Sequence, residues 1–526
     1  MMNKKFLSLL LIVVLAFSIA GCGTSNDADT KGDSSTEAGQ ETTSGSQDTE
    51  VKEIKFPLDE SITMTMFAVN GGVELPDNNA FKKMEEMTNI KWEVDSALPA
   101  ALQERRNLLI ASNTYPEVFY KAGFTNEEVI RYGSQGVLMP LEDLIDQYAP
   151  NLKQRIEERP IILDYITAPD GHIYTLPQIT DPGVRPLSLY INGKWMETLN
   201  ISEPRNIDEF YQMLKEFKEK DPNGSGVADE IPFTIAEGWQ WYMMPYFGVP
   251  LDYESLFYEK DNELFYGPTD DAYKELIVFL AKLYSEGLLD EVSLIQTGAE
   301  QNSKGQGGDV YGAFFNIAAF QATGRGPDLD HIVLTPFEKG SIAYTPAIAV
   351  GTFSITDKCE NPEEAMKWVD YFYSEEGGTL VWLGTEGVTY EFNEDGNWIW
   401  ITPEGADVGE HRFTNRLQGS AQVPSYRPEI FQAKSDDVHS NWMHEGRARI
   451  EPYAAEPFPV IRFSADEQRE LSTITADIIP YINEFTAQCV MGSKDVEEEW
   501  GTYLETLNAM GLSRLIEIYE TAYENK

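Results

Sequence analysis

The amino-acid sequence predicts an α/β protein whose first sheet is built of parallel strands. Apolar and polar residues alternate over residues 62–66 and again over residues 90–94, which is the period of a strand. Apolar residues recur at helical spacing after each of these runs, and a third strand-like run follows at residues 117–120. The order strand, helix, strand, helix, strand is typical of a parallel sheet covered by helices.

The first two predicted helices connect these strands. Phe81, Met84 and Met87 fall on one face of the first helix, which we expect to end near Thr88. The second helix is predicted from the leucines within residues 102–109. Both connections are long enough for the right-handed crossovers that parallel strands require.

Later helices carry start signals. Asn206 is followed three residues later by Glu209, a pair typical of a capping box. Asn361 precedes a proline and two acidic residues, an order that favours a helix start. Residues 500–507 and 515–522 have helical periodicity and predict two C-terminal helices.

Composition bounds the class of protein. The chain has 526 residues, a formal net charge of −47 and 42% apolar residues, which suits two or more folded domains. So acidic a chain repels phosphate backbones, and we expect no nucleic-acid partner. Cys22, Cys359 and Cys489 are the only cysteines, and the sequence leaves open whether the last two pair.

The N-terminus predicts export. Lysines at positions 4 and 5 precede an apolar run over residues 9–17, and Ile-Ala-Gly-Cys follows, ending at Cys22. This arrangement is typical of a secretory signal peptide, and its end resembles the lipobox of bacterial lipoproteins. We therefore predict a signal peptide at residues 1–21 and a lipidated Cys22. The alternative is a plain cleaved signal in which the cysteine has no role.

A polar spacer follows the proposed anchor. Residues 23–52 are rich in Ser, Thr, Gly, Asp and Glu and nearly free of large apolar side chains. Such a segment cannot bury a core. We predict that residues 22–55 form the lipidated cysteine and a disordered acidic linker.

The segment of residues 221–230 predicts a calcium loop. Oxygen-bearing side chains stand at its positions 1, 3, 5 and 9, with glycine at position 6, as at the start of an EF-hand loop. Position 12 is Pro232 rather than the usual glutamate, and a polar turn without metal is the alternative. The predicted structural Ca²⁺ ligands are Asp221, Asn223, Ser225, Val227 through its carbonyl, Asp229 and Glu230.

Aromatic residues are a second feature that indicates ligand binding, whereas catalytic motifs are absent from the sequence. A flat aromatic ring can stack on a sugar, although most aromatic residues fill cores or surfaces. The sequence contains no G-x-S-x-G, H-E-x-x-H, Walker or dinucleotide motif. We therefore predict a protein that is not an enzyme. A glycosidase-like pair of distant carboxylates remains an alternative.

Taken in order, short segments along nearly the whole chain resemble extracellular solute-binding lipoproteins of carbohydrate ABC importers. The resemblance is to the calcium-loop-containing group that includes alginate-oligosaccharide binders. Ser225 departs from a frequent asparagine, and residues 191–196 depart from a frequent Arg-Lys-Asp-Trp-Leu. The segments are LLIASNTYPE (108–117), LEDLI (141–145), YAPN (148–151), DGHIYTLP (170–177), FKEK (217–220), NPEEA (361–365) and GTEGV (384–388), with a matching C-terminal tail.

The resemblance implies a two-lobed, type II periplasmic-binding-protein-like fold with ligand in the cleft. Hinge strands would cross between the lobes near residues 177–188 and 342–352. Lobe one would comprise residues 56–180 with 345–395, and lobe two residues 181–344 with 396–526. Closure around the ligand would be a hinge motion.

The implied function is capture of an oligosaccharide at the outer face of a Gram-positive-type cell membrane. The lipid-anchored protein, expected to be a monomer, would hand the carbohydrate to ABC permease subunits. The alternatives are a secreted polysaccharide-acting enzyme and a protein for peptide binding or sensing. From their positions near predicted strand ends, the expected binding residues are Trp239, Trp241, Tyr344, Trp382, Asn70 and Glu386.

Overall fold

The chain is a mixed α/β protein with two separate multi-stranded sheets. The predicted signal peptide, Cys22 and nearly all of the predicted linker lie outside the residues that the structure describes. The structure is a computed structural model that describes residues 53–184, 187–324, 331–337, 340–419, 421–432, 435 and 438–524.

Strands within the described residues are short, apart from three of eight residues each. In chain order they are β1 (Ile62–Val69), β2 (Ile90–Ala97), β3 (Val118–Tyr120), β4 (Leu176–Ile179), β5 (Gly183–Val184), β6 (Ser188–Asn192), β7 (Ile231–Thr234), β8 (Phe257–Lys260), β9 (Glu263–Tyr266), β10 (Tyr311–Asn316), β11 (His331–Val333), β12 (Tyr344–Thr345), β13 (Ile348–Ile355), β14 (Tyr390–Phe392), β15 (Trp398–Trp400) and β16 (Ser425–Tyr426).

Helices lie between and after these strands. They are α1 (Asn79–Thr88), α2 (Leu102–Ala111), α3 (Asn126–Ser134), α4 (Glu142–Tyr148), α5 (Pro150–Glu158), α6 (Ile161–Ile166), α7 (Gly193–Leu199), α8 (Ile207–Glu219), α9 (Asp271–Ser285), α10 (Gly298–Gly305), α11 (Ala319–Thr323), α12 (Pro362–Asp370), α13 (Glu375–Trp382), α14 (Val408–Asn415), α15 (Glu429–Gln432), α16 (Val438–Ile450), α17 (Ala465–Val490), α18 (Val496–Ala509) and α19 (Leu512–Glu524). Short 3₁₀ helices cover Leu75–Asp77, Pro99–Ala101, Trp239–Phe247, Gly267–Thr269, Tyr371–Tyr373 and Glu451–Tyr453.

The first sheet has six strands in the order β16-β4-β13-β3-β1-β2. β1 pairs in parallel with both β2 and β3, which confirms the predicted parallel start. α1 ends at Thr88, and its C-cap residue Asn89, with a left-handed φ of 61°, lets the chain turn directly into β2. The return strand β13 pairs antiparallel with β3 and β4 and completes the middle of the sheet.

The second sheet has four strands in the order β11-β6-β10-β7. β10 is parallel to β7 and antiparallel to β6, so this sheet is also mixed. α8, which precedes β7, begins as predicted: the Asn206 side chain accepts a hydrogen bond from the Glu209 amide at 2.8 Å. α12 likewise begins at Pro362, but without a side-chain cap from Asn361.

Two hydrophobic cores follow the two sheets. The first core lies on the six-stranded sheet and draws on residues 64–179 and 348–423. The second core lies on the four-stranded sheet and draws on residues 189–337 and 463–522. The structure differs from the predicted lobes over residues 396–426, because Leu417 and Val423 are buried in the first core and β16 pairs with β4.

The two remaining cysteines lie apart in the structure. Cys359 packs against the first core, whereas Cys489 is buried in the second, and each is a free thiol. Burial raises the pKa of the Cys359 thiol to about 12 and that of Cys489 to about 11. None of the helices in the described part of the chain combines the length and apolar character needed to cross a bilayer.

Candidate functional site

A cavity of about 780 Å³ opens between the first core and the second core. Ile166 and Ile348 line it from the side of the first core, while Tyr253 and Phe463 line it from the side of the second. Its volume is within the range of sites that hold small molecules. We name it the inter-core cavity.

Aromatic rings cover much of the wall of the inter-core cavity. The Tyr242 and Tyr253 rings lie 4.3 Å apart between centroids, and the Tyr519 ring stacks on Phe257 at 4.2 Å. These contacts fix the rings before any ligand arrives, and such rings present flat apolar faces. The aromatic lining residues are Phe124, Tyr165, Tyr242, Tyr253, Tyr344, Phe458, Phe463 and Tyr519.

Neutral polar side chains alternate with the rings along the same wall. Amides and hydroxyls both donate and accept hydrogen bonds, which suits a ligand rich in hydroxyl groups. Gln178 already donates to Gln418 at 2.9 Å, so one of these amides is held in place from behind. The neutral polar lining residues are Thr125, Asn126, Thr167, Thr175, Gln178, Thr180, Ser255, Thr345, Gln422 and Gln468.

A two-stranded ribbon connects the sheets beside the cavity. β5 pairs antiparallel with β12, and these strands lie where the two predicted hinge crossings were expected. The Arg159 guanidinium donates to the carbonyls of Thr180, at 2.9 Å, and Pro346. Arg159 therefore ties the two crossing segments together at the end of the six-stranded sheet. Burial lowers the pKa of this guanidinium.

Polar contacts join the two sides at the rim. Arg462 Nη2 lies 2.9 Å from Asp164 Oδ1, and Ser472 Oγ donates to Glu127 at 3.1 Å. Asp164 and Glu127 belong to α6 and α3 beside the first sheet, whereas their partners belong to the chain entering and forming α17. These contacts hold the two sides together across the mouth of the cavity.

The structure brings Tyr344 alone of the six predicted binding residues to the cavity lining. Trp239 and Trp241 stand in the 3₁₀ helix Trp239–Phe247, which packs on the second core. Trp241 is buried there and stacks on Tyr273 with centroids 4.6 Å apart. Burial in the core removes Trp241 from any ligand and corrects that assignment. Trp239 is only partly buried, and its assignment stays a prediction.

The other three predicted residues also lie away from the cavity lining. Trp382 is buried in the first core, with the Arg427 guanidinium 4.4 Å above its ring. Asn70 donates to Glu74 at 2.7 Å and accepts a nearby backbone amide, so its side chain stabilises a surface turn. Glu386 is exposed in the turn before β14. Burial corrects the assignment of Trp382, whereas those of Asn70 and Glu386 stay predictions.

Four tyrosines of the lining were missed by the sequence prediction: Tyr165, Tyr242, Tyr253 and Tyr519. Tyr242 directly follows the predicted Trp241, and its neighbourhood was therefore recognised with the wrong residue chosen. Tyr165 and Tyr519 stand on helices whose apolar periodicity is the same as that of core residues. No local signal distinguishes them from core tyrosines.

The predicted calcium loop, residues 221–230, connects α8 to β7 and is closed by its own polar groups. Asn223 Nδ2 and Ser225 Oγ both donate to Asp229 Oδ1, at 2.9 and 3.0 Å. Asp221 Oδ2 accepts a backbone amide of the loop at 3.1 Å. The loop therefore brings oxygen atoms of its alternate residues together.

One carboxylate of this loop has an unsatisfied oxygen. Glu230 Oε1 is buried without a hydrogen-bond partner among the described residues. Burial, followed by the charges of Asp229 and Asp221, raises the pKa of Glu230. No group of three or more His, Cys, Asp or Glu side chains in the described residues is arranged to hold a metal. A cation would therefore also need the oxygens of Asn223 and Ser225 and the Val227 carbonyl, a donor set that suits Ca²⁺.

Comparison with known proteins identifies similar sequences. The family model described as bacterial extracellular solute-binding protein matches residues 75–379 of the chain. The fructooligosaccharide ABC transporter substrate-binding protein FusA of Streptococcus pneumoniae serotype 4 is 26% identical over 516 residues. That alignment covers 92% of this chain and 94% of FusA.

Solved structures are similar over nearly the same length. An EF-hand mutant of S. pneumoniae FusA in complex with fructo-nystose superposes with a TM-score of 0.75 at 24% identity, covering 88% of this chain and 99% of FusA. The alginate-binding protein AlgQ2 without calcium ion has a TM-score of 0.71 at 25% identity, covering 90% of this chain and 100% of AlgQ2. These similarities confirm the predicted fold class, an α/β type II binding-protein fold of two lobes.

Proposed function

Because this chain belongs to the bacterial extracellular solute-binding protein family, we propose that it captures an oligosaccharide and delivers it to an ABC import permease. The inter-core cavity is the observation that carries the proposal. It combines a volume of about 780 Å³ with fixed aromatic faces and neutral hydrogen-bonding groups. The name of FusA, a fructooligosaccharide-binding protein 26% identical to this chain, supports a carbohydrate ligand.

The proposed mechanism is binding followed by closure. Aromatic faces stack on the apolar faces of sugar rings, and amides and hydroxyls bind the hydroxyl groups. The β5–β12 ribbon acts as the hinge, and the rim contacts between Asp164 and Arg462 and between Glu127 and Ser472 form as the lobes approach. The ligand is released unchanged to the permease, so we propose no catalytic residue.

We further propose that the protein is tethered at the outer face of the cell membrane. Cys22 would carry the lipid after the signal peptide of residues 1–21 is removed. The polar segment of residues 23–52 would then keep the folded part at a distance from the bilayer. A tethered receptor keeps captured ligand near its permease.

The calcium loop is proposed to bind one structural Ca²⁺. Asp221, Asn223, Ser225, Asp229 and Glu230 would supply side-chain oxygens, and residue 227 its carbonyl. The unpartnered Glu230 oxygen and the clustered carboxylates support this proposal, because a bound cation would relieve both. The ion would stabilise the lobe that contains the second sheet and would leave ligand chemistry to the cavity.

The direct test of the proposed function is calorimetry with a panel of purified oligosaccharides, including fructooligosaccharides. We expect saturable binding of at least one of them, with one site per chain. The same mixtures are assayed for new reducing ends, for which we expect no increase over time. Absence of binding across the panel would contradict the receptor proposal, and steady release of reducing ends would favour the polysaccharide-acting enzyme.

A further inference from the structure

The charged residues of the inter-core cavity are unevenly distributed. Among the described residues that line it, the acids are Asp164, Asp252 and Glu254, and the base is Arg462. Arg462 forms the rim ion pair with Asp164, at 2.9 Å. After this pairing, the carboxylates of Asp252 and Glu254 are left without a compensating positive charge in the described lining.

Asp252 and Glu254 stand together in the turn before β8. The Asp252 carboxylate accepts the Ser255 amide at 2.9 Å and the Ser255 hydroxyl at 2.6 Å, which fixes its orientation. No ion pair joins either acid to a basic side chain among the described residues. Glu254 is solvent-exposed within the cavity, where partial desolvation and the Asp252 charge raise the pKa of its carboxyl.

Arg159 is a further positive charge beside the lining, and its guanidinium is bonded to the backbone. The Arg159 guanidinium donates to the carbonyls of Thr180 and Pro346, and both of these residues line the cavity. Arg159 therefore lies behind the wall and serves the hinge. These two hydrogen bonds hold its guanidinium on the hinge segments.

The negative field of the two acids crosses the cavity. Tyr165 stands on α6, on the opposite side from Asp252 and Glu254, yet their charges contribute with burial to raise its pKa to about 12. The same two charges act in the same direction on Tyr519. The two charges therefore act on two of the aromatic residues that line the cavity.

We propose that this cavity selects uncharged oligosaccharides and rejects oligosaccharides of uronic acids, with Asp252 and Glu254 as the residues that determine this specificity. The inference rests on the proposed carbohydrate-binding function and narrows its ligand class. A uronate unit would place a carboxylate in a cavity whose unbalanced charge has the same sign. Repulsion and desolvation of that carboxylate would lower its affinity, a case of specificity through an unfavourable contact.

The test uses a pair of ligands that differ only in charge. A short oligogalacturonate and its carboxyl-reduced product are titrated into the purified protein by calorimetry, beside nystose as a neutral fructooligosaccharide. We expect a neutral oligosaccharide to bind, and the oligogalacturonate to bind at least about tenfold more weakly than its reduced product. Raising the ionic strength should reduce this ratio of affinities, because salt screens the repulsion between the carboxylates.

Variants of the two acids locate the effect. In the double variant Asp252→Asn with Glu254→Gln, we expect the ratio between reduced and charged ligand to fall to about threefold or less. Glu391→Gln removes an exposed charge on β14 that does not line the cavity, and it should keep the original ratio. Thermal melts of all three proteins check that each one folds.

The possible outcomes separate the two proposals. Equal or tighter binding of the oligogalacturonate overturns the charge inference while leaving the carbohydrate receptor intact. A tenfold preference that the double variant retains also overturns it, because the discrimination then comes from other residues. If neither these ligands nor the wider oligosaccharide panel binds, the proposed function fails and the inference fails with it.

Discussion

The inter-core cavity and the calcium loop are two sites of opposite construction. The loop takes all its oxygens from ten consecutive residues, 221–230, and closes through hydrogen bonds within that segment. The cavity takes its lining from seven separated stretches of chain, which begin at Phe124 and end at Tyr519. The loop is therefore formed by local backbone geometry, whereas the cavity exists only after both cores and the hinge ribbon have formed.

This difference in construction implies different sensitivities. Loss of a ligand from the loop should weaken the lobe that contains it and leave the cavity walls in place, because no loop residue lines the cavity. Loss of an aromatic face in the cavity should weaken ligand binding and leave the stability of the fold nearly unchanged. Three experiments of decreasing expected effect test this separation.

Calcium removal should produce the largest effect, on stability. A cation bound only to the folded state, at a free concentration 100 times its dissociation constant, adds about 2.7 kcal/mol to the free energy of unfolding. We expect chelation to lower the unfolding midpoint by the corresponding amount. Oligosaccharide affinity, measured on the folded protein at lower temperature, should change less than about twofold.

A matched pair of variants assigns that loss to the loop. Asp221→Ala should abolish the response of the midpoint to chelator, since Asp221 is the first predicted ligand. Asp395→Ala, in the exposed turn between β14 and β15, removes the same charge elsewhere and should keep the response. If chelator leaves the unfolding midpoint of the unaltered protein unchanged, that result contradicts calcium binding.

Removal of one aromatic face should be next in size and should act on binding. Tyr344 stands on β12 at the hinge and lines the cavity. We expect Tyr344→Ala to weaken oligosaccharide binding by about 1–2 kcal/mol, because a contact face for the ligand is lost. Tyr344→Phe keeps the ring and should retain most of the affinity in calorimetry.

The control for this variant is an aromatic residue outside the cavity. Phe392→Ala, on β14, removes an exposed ring and should leave ligand affinity unchanged. Both Tyr344→Ala and Phe392→Ala should respond to chelator as the unaltered protein does. An unchanged affinity in Tyr344→Ala would remove Tyr344, the only predicted residue in the lining, from the binding site.

The same difference explains what the sequence could predict. The prediction of the calcium loop rests on donors that alternate along one segment and on a glycine at a fixed position. The start of the first sheet could be predicted for a similar reason, because the hydrophobic periodicity of β1, α1 and β2 lies within the consecutive residues of each element. Both predictions needed no knowledge of distant chain segments.

The cavity residues required information that neighbouring residues do not carry. Trp241 and Tyr242 are adjacent in a 3₁₀ helix, where each residue turns the side chain by about 120°. That rotation places Trp241 on Tyr273 in the second core and Tyr242 at the cavity. Which of the two faces the ligand depends on how the helix packs, and this is decided by tertiary contacts.

The same limit applies to the lobe boundary predicted at residue 395. Asp395 and Gly396 at that position indicate only the turn between β14 and β15, and not the sheet to which the following chain belongs. β16 does so because it pairs with β4, a strand about 250 residues earlier, through Ser425 opposite Gln178. The pairing of β16 with β4 depends on how the whole sheet assembles, and the residues next to either strand do not indicate it.

The rim should give the smallest effect and the sharpest test of closure. Arg462 and Asp164 join the two sides at 2.9 Å, but both side chains are largely exposed, and such pairs contribute about 0.2–1 kcal/mol. We expect Arg462→Ala to weaken ligand affinity by no more than about fivefold, mainly through faster release, because the pair forms only when the lobes approach. Arg469→Ala breaks an exposed pair within α17 and should leave the release rate unchanged. A double-mutant cycle with Asp164→Asn isolates the pair, and a coupling energy of zero would mean that this contact does not contribute to closure.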